Sequence, residues 1–273
     1  MSVISTGVRP RLIPTLLIRG NAVYTTRAFA NPCYVGDLLN TVRIFNELEV
    51  DELMVLDIDA SSEGRGPDMN LMQAVADECF MPLCYGGGVS SVEQMHALYK
   101  IGVEKVSLNS ALYSDPELLE RAAKRFGRQA VVASLDVARV RSDVRPTPSW
   151  SYSRRAKLEQ LVHAPTALDA ARSYAQLGAG ELLLSSVSCD GTREGYDLAL
   201  VAEVCGAVDI PVIANCGGGT LDDVQAALSA GAAAAAAGTM LVRQKALESV
   251  LIHYPNQRQR SLSIAPPSSW SQV

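Results

Sequence analysis

The chain has 273 residues, 48% of them hydrophobic and 19% charged, with a formal net charge of −5. That length can bury a large core, either one barrel-sized domain or two small ones. The scattered basic residues exclude a nucleic-acid or membrane surface as the expected partner, and no apolar run approaches the roughly 20 residues a membrane span needs.

The N-terminal MSVISTGVRPR lacks the apolar stretch of a secretory signal. Six cysteines form no CxxC pair, and four lie in apolar runs. Reduced, buried thiols and a cytoplasmic location are the expectation. The three histidines, at 96, 163 and 253, have no ligand-type neighbours in sequence, so no metal is expected, and no cofactor motif is present.

In chain order, short apolar runs alternate with helix-period patterns. A strand is expected at 11–18, then a long loop at 19–37 and a helix at 37–48. Strand 52–58 leads to helix 68–79, strand 82–85 to helix 91–101, and strand 104–107 to helix 115–126. The second half continues with strand 130–136, a long loop at 138–166 and helix 166–178. Strand 181–187 precedes helix 196–206, strand 211–214 precedes helix 220–230, and strand 233–237 precedes a helix at 244–253. Eight strands, each followed by a helix, define a parallel sheet, and at this length a closed (β/α)8 TIM barrel.

The near-continuous apolar strands fit burial on both faces. A doubly wound open sheet would carry a Gly-rich turn after its first strand, and none is there. The run GAAAAAAGT (231–239) has the propensity of a helix. Its shortness, its bounding glycines and its place in the alternation make it a strand. One barrel domain is expected over 1–254, with residues 1–8 and the Pro- and Ser-rich 255–273 disordered.

The two halves repeat each other. LDIDAS (56–61) followed by PLCYGGGVSSVEQMHALYKIGVEKVSLNSAL (82–112) matches SVSCDGT (186–192) followed by PVIANCGGGTLDDVQAALSAGAAAAAAGTML (211–241). Asp59 aligns with Asp190, and Asn109-Ser110 with Gly238-Thr239. Each Gly-rich turn offers backbone amides to an anion with no side chain in the way. Gly87 and Gly88 with Asn109 and Ser110 therefore form one candidate phosphate cradle. Gly191, Gly217 and Gly218 with Gly238 and Thr239 form the other. Ser90, Ser91 and Thr220 are N-cap types whose hydroxyls could add a bond. The competing view is that GGG only makes a tight turn. Two matched turns, each beside a second polar loop, favour a ligand with a phosphate at each end.

Between the cradles stand carboxylates. Asp136 ends the fifth strand and Asp190 follows the sixth, where barrel side chains read as catalytic, while Asp57 and Asp59 end the second. The local alternative for Asp59 and Asp190 is a capped turn. At the opposite end, Arg11, Glu52, Lys105 and Glu181 each begin a strand. Buried charges must pair, so a ring of salt bridges is expected. Its default role is stability, and a gate on an axial passage is the alternative.

These residues together resemble the cyclase subunit of imidazole glycerol phosphate synthase. DELMVLDIDAS, YGGGV, EKVSLNS, AGELLLSSVSCDGTREGYD and PVIANCGGG carry the resemblance across about residues 11 to 253. It implies a (β/α)8 lyase subunit that takes ammonia from a glutaminase (class I glutamine amidotransferase) docked on the N-terminal face. It also implies a doubly phosphorylated small-molecule ligand at the mouth, and makes Arg11, Glu52, Lys105 and Glu181 the ammonia gate.

The departures are specific. Leu17 stands where the family carries a strand-1 catalytic aspartate, Tyr24 where it has a loop lysine, Ser188 where its strand-6 motif begins with an acid, and Cys216 where a turn glycine belongs. Asp136 and Asp190 remain. PTLLI, YVGDLLNTVRIFNELEVDELMVLDIDAS and ECFMPLCYGGG are similar to a branch of the family in bacterial surface-sugar biosynthesis. That branch implies ammonia supply to acetamidino-sugar formation, alongside an ATP-dependent sugar-amidating enzyme. The alternatives are the histidine-pathway cyclase itself and a non-catalytic phosphosugar- or nucleotide-binding barrel. A phosphosugar isomerase is disfavoured, because it too needs an acid at Leu17.

Overall fold

A computed structural model describes residues 10–142, 145–150, 166–244 and 249–263. The chain opens with β1 (Arg11–Arg19), which turns into an antiparallel hairpin, β2 (Ala22–Arg27) and β3 (Ala30–Asp37). Three β-strands and four helices complete the first half, and a further strand opens the second: α1 (Leu38–Glu47), β4 (Leu53–Asp57), α2 (Met69–Glu78), β5 (Leu83–Gly86), α3 (Val92–Lys100), β6 (Lys105–Leu108) and α4 (Leu118–Phe126), then β7 (Val131–Val137). A second hairpin, β8 (Arg139–Ser142) and β9 (Arg145–Trp150), stands apart from the main sheet. Then follow α5 (Ala167–Gln176), β10 (Glu181–Ser186), α6 (Leu198–Cys205), β11 (Val212–Asn215), α7 (Leu221–Ser229), β12 (Ala234–Ala237), the one-turn α8 (Thr239–Val242) and α9 (Gln257–Ser263).

The sheet order is β12-β11-β10-β7-β6-β5-β4-β1, and β1 pairs with β12 in parallel, which closes the barrel. The (β/α)8 expectation therefore holds. Alternation splits the core in two. Ile13, Met54, Cys84, Val132, Leu183, Ile213, Ala234 and Ala236 fill the inside. A larger cluster, with Phe45, Met72, Leu98 and Leu119 at its helices, lies between sheet and helices. The alanine run is a strand buried at all four positions. Two ladder partners outweigh alanine's helix propensity there, as tertiary context commonly does.

Three expectations need correction. The 19–37 segment is a hairpin extending β1, not an open loop, and its own ladder satisfies its backbone. The described part of 138–166 likewise contains the β8–β9 hairpin; residues 143–144 and 151–165 lie outside the described residues. Of the helix expected at 244–253, residues 244 and 249–253 are not helical and 245–248 lie outside the described residues; a helix, α9, follows instead at Gln257–Ser263. Residues 249–254 instead run beside α8: Arg243 bridges Val250, and the Leu251 and His253 amides donate to the Val242 and Leu241 carbonyls. Part of the expected disordered tail is thus ordered, while residues 1–9 and 264–273 lie outside the described set.

What anchors α9 is chemistry at the base. The Arg260 guanidinium lies 4.6 Å from the Tyr254 ring centroid and 3.3 Å from an Asp51 oxygen. The Tyr254 hydroxyl donates to the Leu12 carbonyl at 2.7 Å and lies 3.0 Å from Asp51. Tyr254→Phe removes these bonds without changing shape. It is expected to lower stability by about 1–2 kcal/mol, read from the urea midpoint at unchanged slope.

Candidate active site at the mouth of the barrel

At the strands' N-terminal ends, the four expected charges meet. Arg11 reaches Glu52 and Glu181, each at 2.5 Å, and Lys105 reaches Glu52 at 3.0 Å and Glu181 at 2.8 Å. The signs alternate around the axis, so each charge has two opposite neighbours. Burial pulls the Lys105 and Arg11 pKa values down, but Glu181 and Glu52 more than offset it, and both are raised. Above the ring sits the apolar inside layer; above that layer is the mouth.

The mouth is a cavity of about 610 Å³ at the strands' C-terminal ends. Its floor was not foreseen from the sequence. Thr15, Ser107, Ser134, Ser185 and Asn215 line it. Ser185 accepts from Asn215 at 3.0 Å. The alternation two residues below Asp136 and Leu17 was the available signal.

Asp136 stands above this floor. Asn109 donates to its carboxylate at 2.7 Å. Burial pushes its pKa up to about 6, against the opposing hydrogen bonds of Asn109 and Ser185, with a small further rise from Asp190. A carboxyl near 6 can both give and take a proton close to neutrality.

Asp190 lines the same cavity but is already engaged. One of its oxygens accepts from the Thr26 hydroxyl at 2.6 Å and from the Phe29 amide at 2.9 Å. It therefore pins the β2–β3 hairpin over the mouth. Asp57 is similarly occupied. It accepts from the Asp59 and Ala60 amides at 3.1 Å and from both ends of the Arg65 guanidinium at 2.7 and 3.1 Å. Asp59 pairs with Arg19. Asp57 and Asp59 are turn organisers here.

Leu17 faces the mouth beside Leu56 in one ladder and Tyr24 in the other. The missing acid and the missing lysine of the resemblance thus lie side by side, replaced by an apolar wall. Ser188 is exposed. Cys216 adopts φ +74°, which explains why a glycine suits that place and costs an L-residue about 1–2 kcal/mol. Its thiol pKa is pushed well up by burial, so it is no nucleophile at neutral pH.

Both glycine turns reach the mouth. At Gly87, with φ +124°, a Cβ would fall 2.5 Å from the Asp57 carbonyl; at Gly217, with φ +104°, 2.1 Å from that of Gly195. Packing alone requires glycine at both. Asn109 and Gly238 share an unusual backbone, with ψ −85° and −77°, and each opens a short helical turn, Ser110–Tyr113 and Thr239–Val242. Gly88, Gly191, Gly218 and Thr239 also line the cavity. Ser91 and Thr220 are the N-caps of α3 and α7, as expected. Ser91 and Thr220 accept from their own helices' Gln94 and Asp223 amides, and Ser90 binds the Gln94 side chain. Among the described residues no cluster suited to a metal occurs.

A closed eight-stranded parallel barrel with its polar side chains at the C-terminal mouth is a (β/α)8 protein of the enzyme-bearing kind. This chain belongs to the histidine biosynthesis protein family, whose model matches residues 11–246. It is 38% identical to a Vibrio vulnificus chain provisionally named imidazole glycerol phosphate synthase subunit hisF3, over 94% of this chain and 97% of the relative. A Pseudomonas aeruginosa relative, provisionally named subunit hisF2, is 40% identical over 91% and 97%. The imidazole glycerol phosphate synthase subunit HisF of Trichormus variabilis is 39% identical over 83% and 86%.

Two outcomes follow. Glu52→Ala leaves two partly buried cations undercompensated, and roughly 3–5 kcal/mol of stability is expected to disappear, read by denaturant melts. For Asp136, the folded pKa of about 6 exceeds the ordinary 3.8. The folded state therefore favours the proton, and stability falls as pH rises from about 4 to 6. Asp136→Asn abolishes that loss. It should match the native chain near pH 4 and exceed it by ~3 kcal/mol above pH 6, measured by melts across pH.

Proposed function

We propose that the chain is the cyclase-type barrel subunit of a glutamine amidotransferase. Ammonia from a glutaminase on the basal face passes the Arg11–Glu52–Lys105–Glu181 ring and meets a phosphorylated ligand at the mouth. The observation that carries this reading is the closed ring of alternating charge directly below a mouth that retains Asp136. A simple binding barrel has no need of such a ring. The relatives' names support the histidine-pathway reaction, closure of imidazole glycerol phosphate, over surface-sugar amidation. Asp136 is the proton-transfer group in this reading. Asp190 holds the hairpin in place, and the two glycine turns take the phosphate ends.

Leu17 favours a second reading. It cannot move a proton, and loss of one proton-transfer group costs about a hundred- to ten-thousandfold in rate. A barrel that keeps the ring and loses the acid suits ammonia delivery to another enzyme, as in acetamidino-sugar formation with an ATP-dependent amidating partner.

The test is an assay with the histidine-pathway bisphosphate precursor and excess ammonium salt, on the native chain and on Leu17→Asp. Turnover by the native chain supports ring closure here. Turnover only in Leu17→Asp supports a mouth that has given up that reaction. With a glutaminase bound, Lys105→Ala is expected to uncouple glutamine use from product formation; unchanged coupling would sink the gate.

A further inference from the structure

The mouth is short of positive charge. Three carboxylates line it, Asp57, Asp136 and Asp190, and among its described lining residues there is one cation, Arg193. A phosphomonoester brings about −1.5 to −2 at neutral pH. The reading above therefore has to say where that charge is met.

Arg193 is held for the purpose. Its backbone is left-handed, φ +56°, a conformation that a long side chain adopts only when its surroundings enforce it. Its carbonyl would lie 2.5 Å, and its Cβ 2.9 Å, from a Cβ placed at Gly219, so it presses on the glycine turn after β11. From there the guanidinium reaches across to donate to the Arg243 carbonyl at 3.3 Å, just past α8. It thus spans the two loops that make the second cradle. Among the described residues it has no carboxylate partner.

The first cradle is built differently. Its Gly88 amide already donates to Ser61 at 3.3 Å, and Asn109 to Asp136 at 2.7 Å. No cation lines it among the described residues.

Resting on the reading that the mouth takes a phosphorylated ligand, we propose that Arg193 is its phosphate-pairing side chain, and that the Gly217–Thr239 end is the strong anion end. A ligand with one phosphate docks there. A ligand with two is held by that end and oriented by it, with its other phosphate on neutral donors near Gly88 and Ser110.

The experiment is calorimetric titration of the full chain with inorganic phosphate, at low and high ionic strength. Variants are Arg193→Asn, which suits a left-handed backbone, Arg193→Lys, and Ser110→Ala. Arg193→Asn is expected to weaken binding about ten- to a hundredfold and flatten the salt dependence, with melting unchanged. Arg193→Lys keeps part of the affinity, and Ser110→Ala changes it little. Equal binding by the native chain and Arg193→Asn would overturn the role of Arg193 alone. A larger effect of Ser110→Ala than of Arg193→Asn would overturn the assignment of the strong end. No phosphate binding by the native chain would overturn the phosphate reading itself.

Discussion

Closure of the barrel between β1 and the alanine strand β12 is the constraint on which the other features rest. Arg11 pairs with Ala234 and Pro14 with Ala237. Once that ladder forms, every strand of the barrel has a neighbour on both sides, and alternate side chains must face a common axis. Arg11, Glu52, Lys105 and Glu181 then have nowhere to go but toward each other at one end. Leu17, Ser134, Asp136, Ser185 and Asn215 are likewise gathered at the other. The apolar layer between them separates two charged environments by a stretch of low dielectric. Burial of its own carboxyl is what lifts the Asp136 pKa to about 6, above the value of an exposed aspartate.

One side of the mouth is walled by a pair on a shared ladder. Leu17 and Tyr24 are direct partners in the β1–β2 ladder. Neither side chain carries a charge, and the pair is backed by Tyr34 against Tyr24 at 5.8 Å. Cys216, in the same mouth, is held in a left-handed backbone.

Most of the architecture was legible in the sequence, because strands buried on both faces read as continuous apolar runs and the two halves carry matching motifs. The charge ring was legible for the same reason: a charge opening a buried strand has one place to go. The β2–β3 hairpin was not, since β3 is exposed at most positions and Pro32 interrupts its pattern. Helix α9 was missed because Arg260 is anchored by Asp51, a partner 209 positions away in sequence. The engagement of Asp190 by Thr26 spans 164 positions, and no local pattern encodes it. Sequence could locate that carboxylate in the mouth, but not tell that it was already occupied.

The Tyr254 contact has a consequence for how the molecule breathes. Alanines bury little apolar surface, so the β1–β12 seam gains less from burial than ladders of leucine and valine. Tyr254 fastens the chain's last stretch to Leu12, the second residue of that seam's first strand. Opening of the seam and release of the C-terminal segment are coupled through that bond. The amide protons of Arg11, Leu12 and Ile13 are therefore expected to owe part of their protection from solvent exchange to the docking of Tyr254, 242 positions from Leu12.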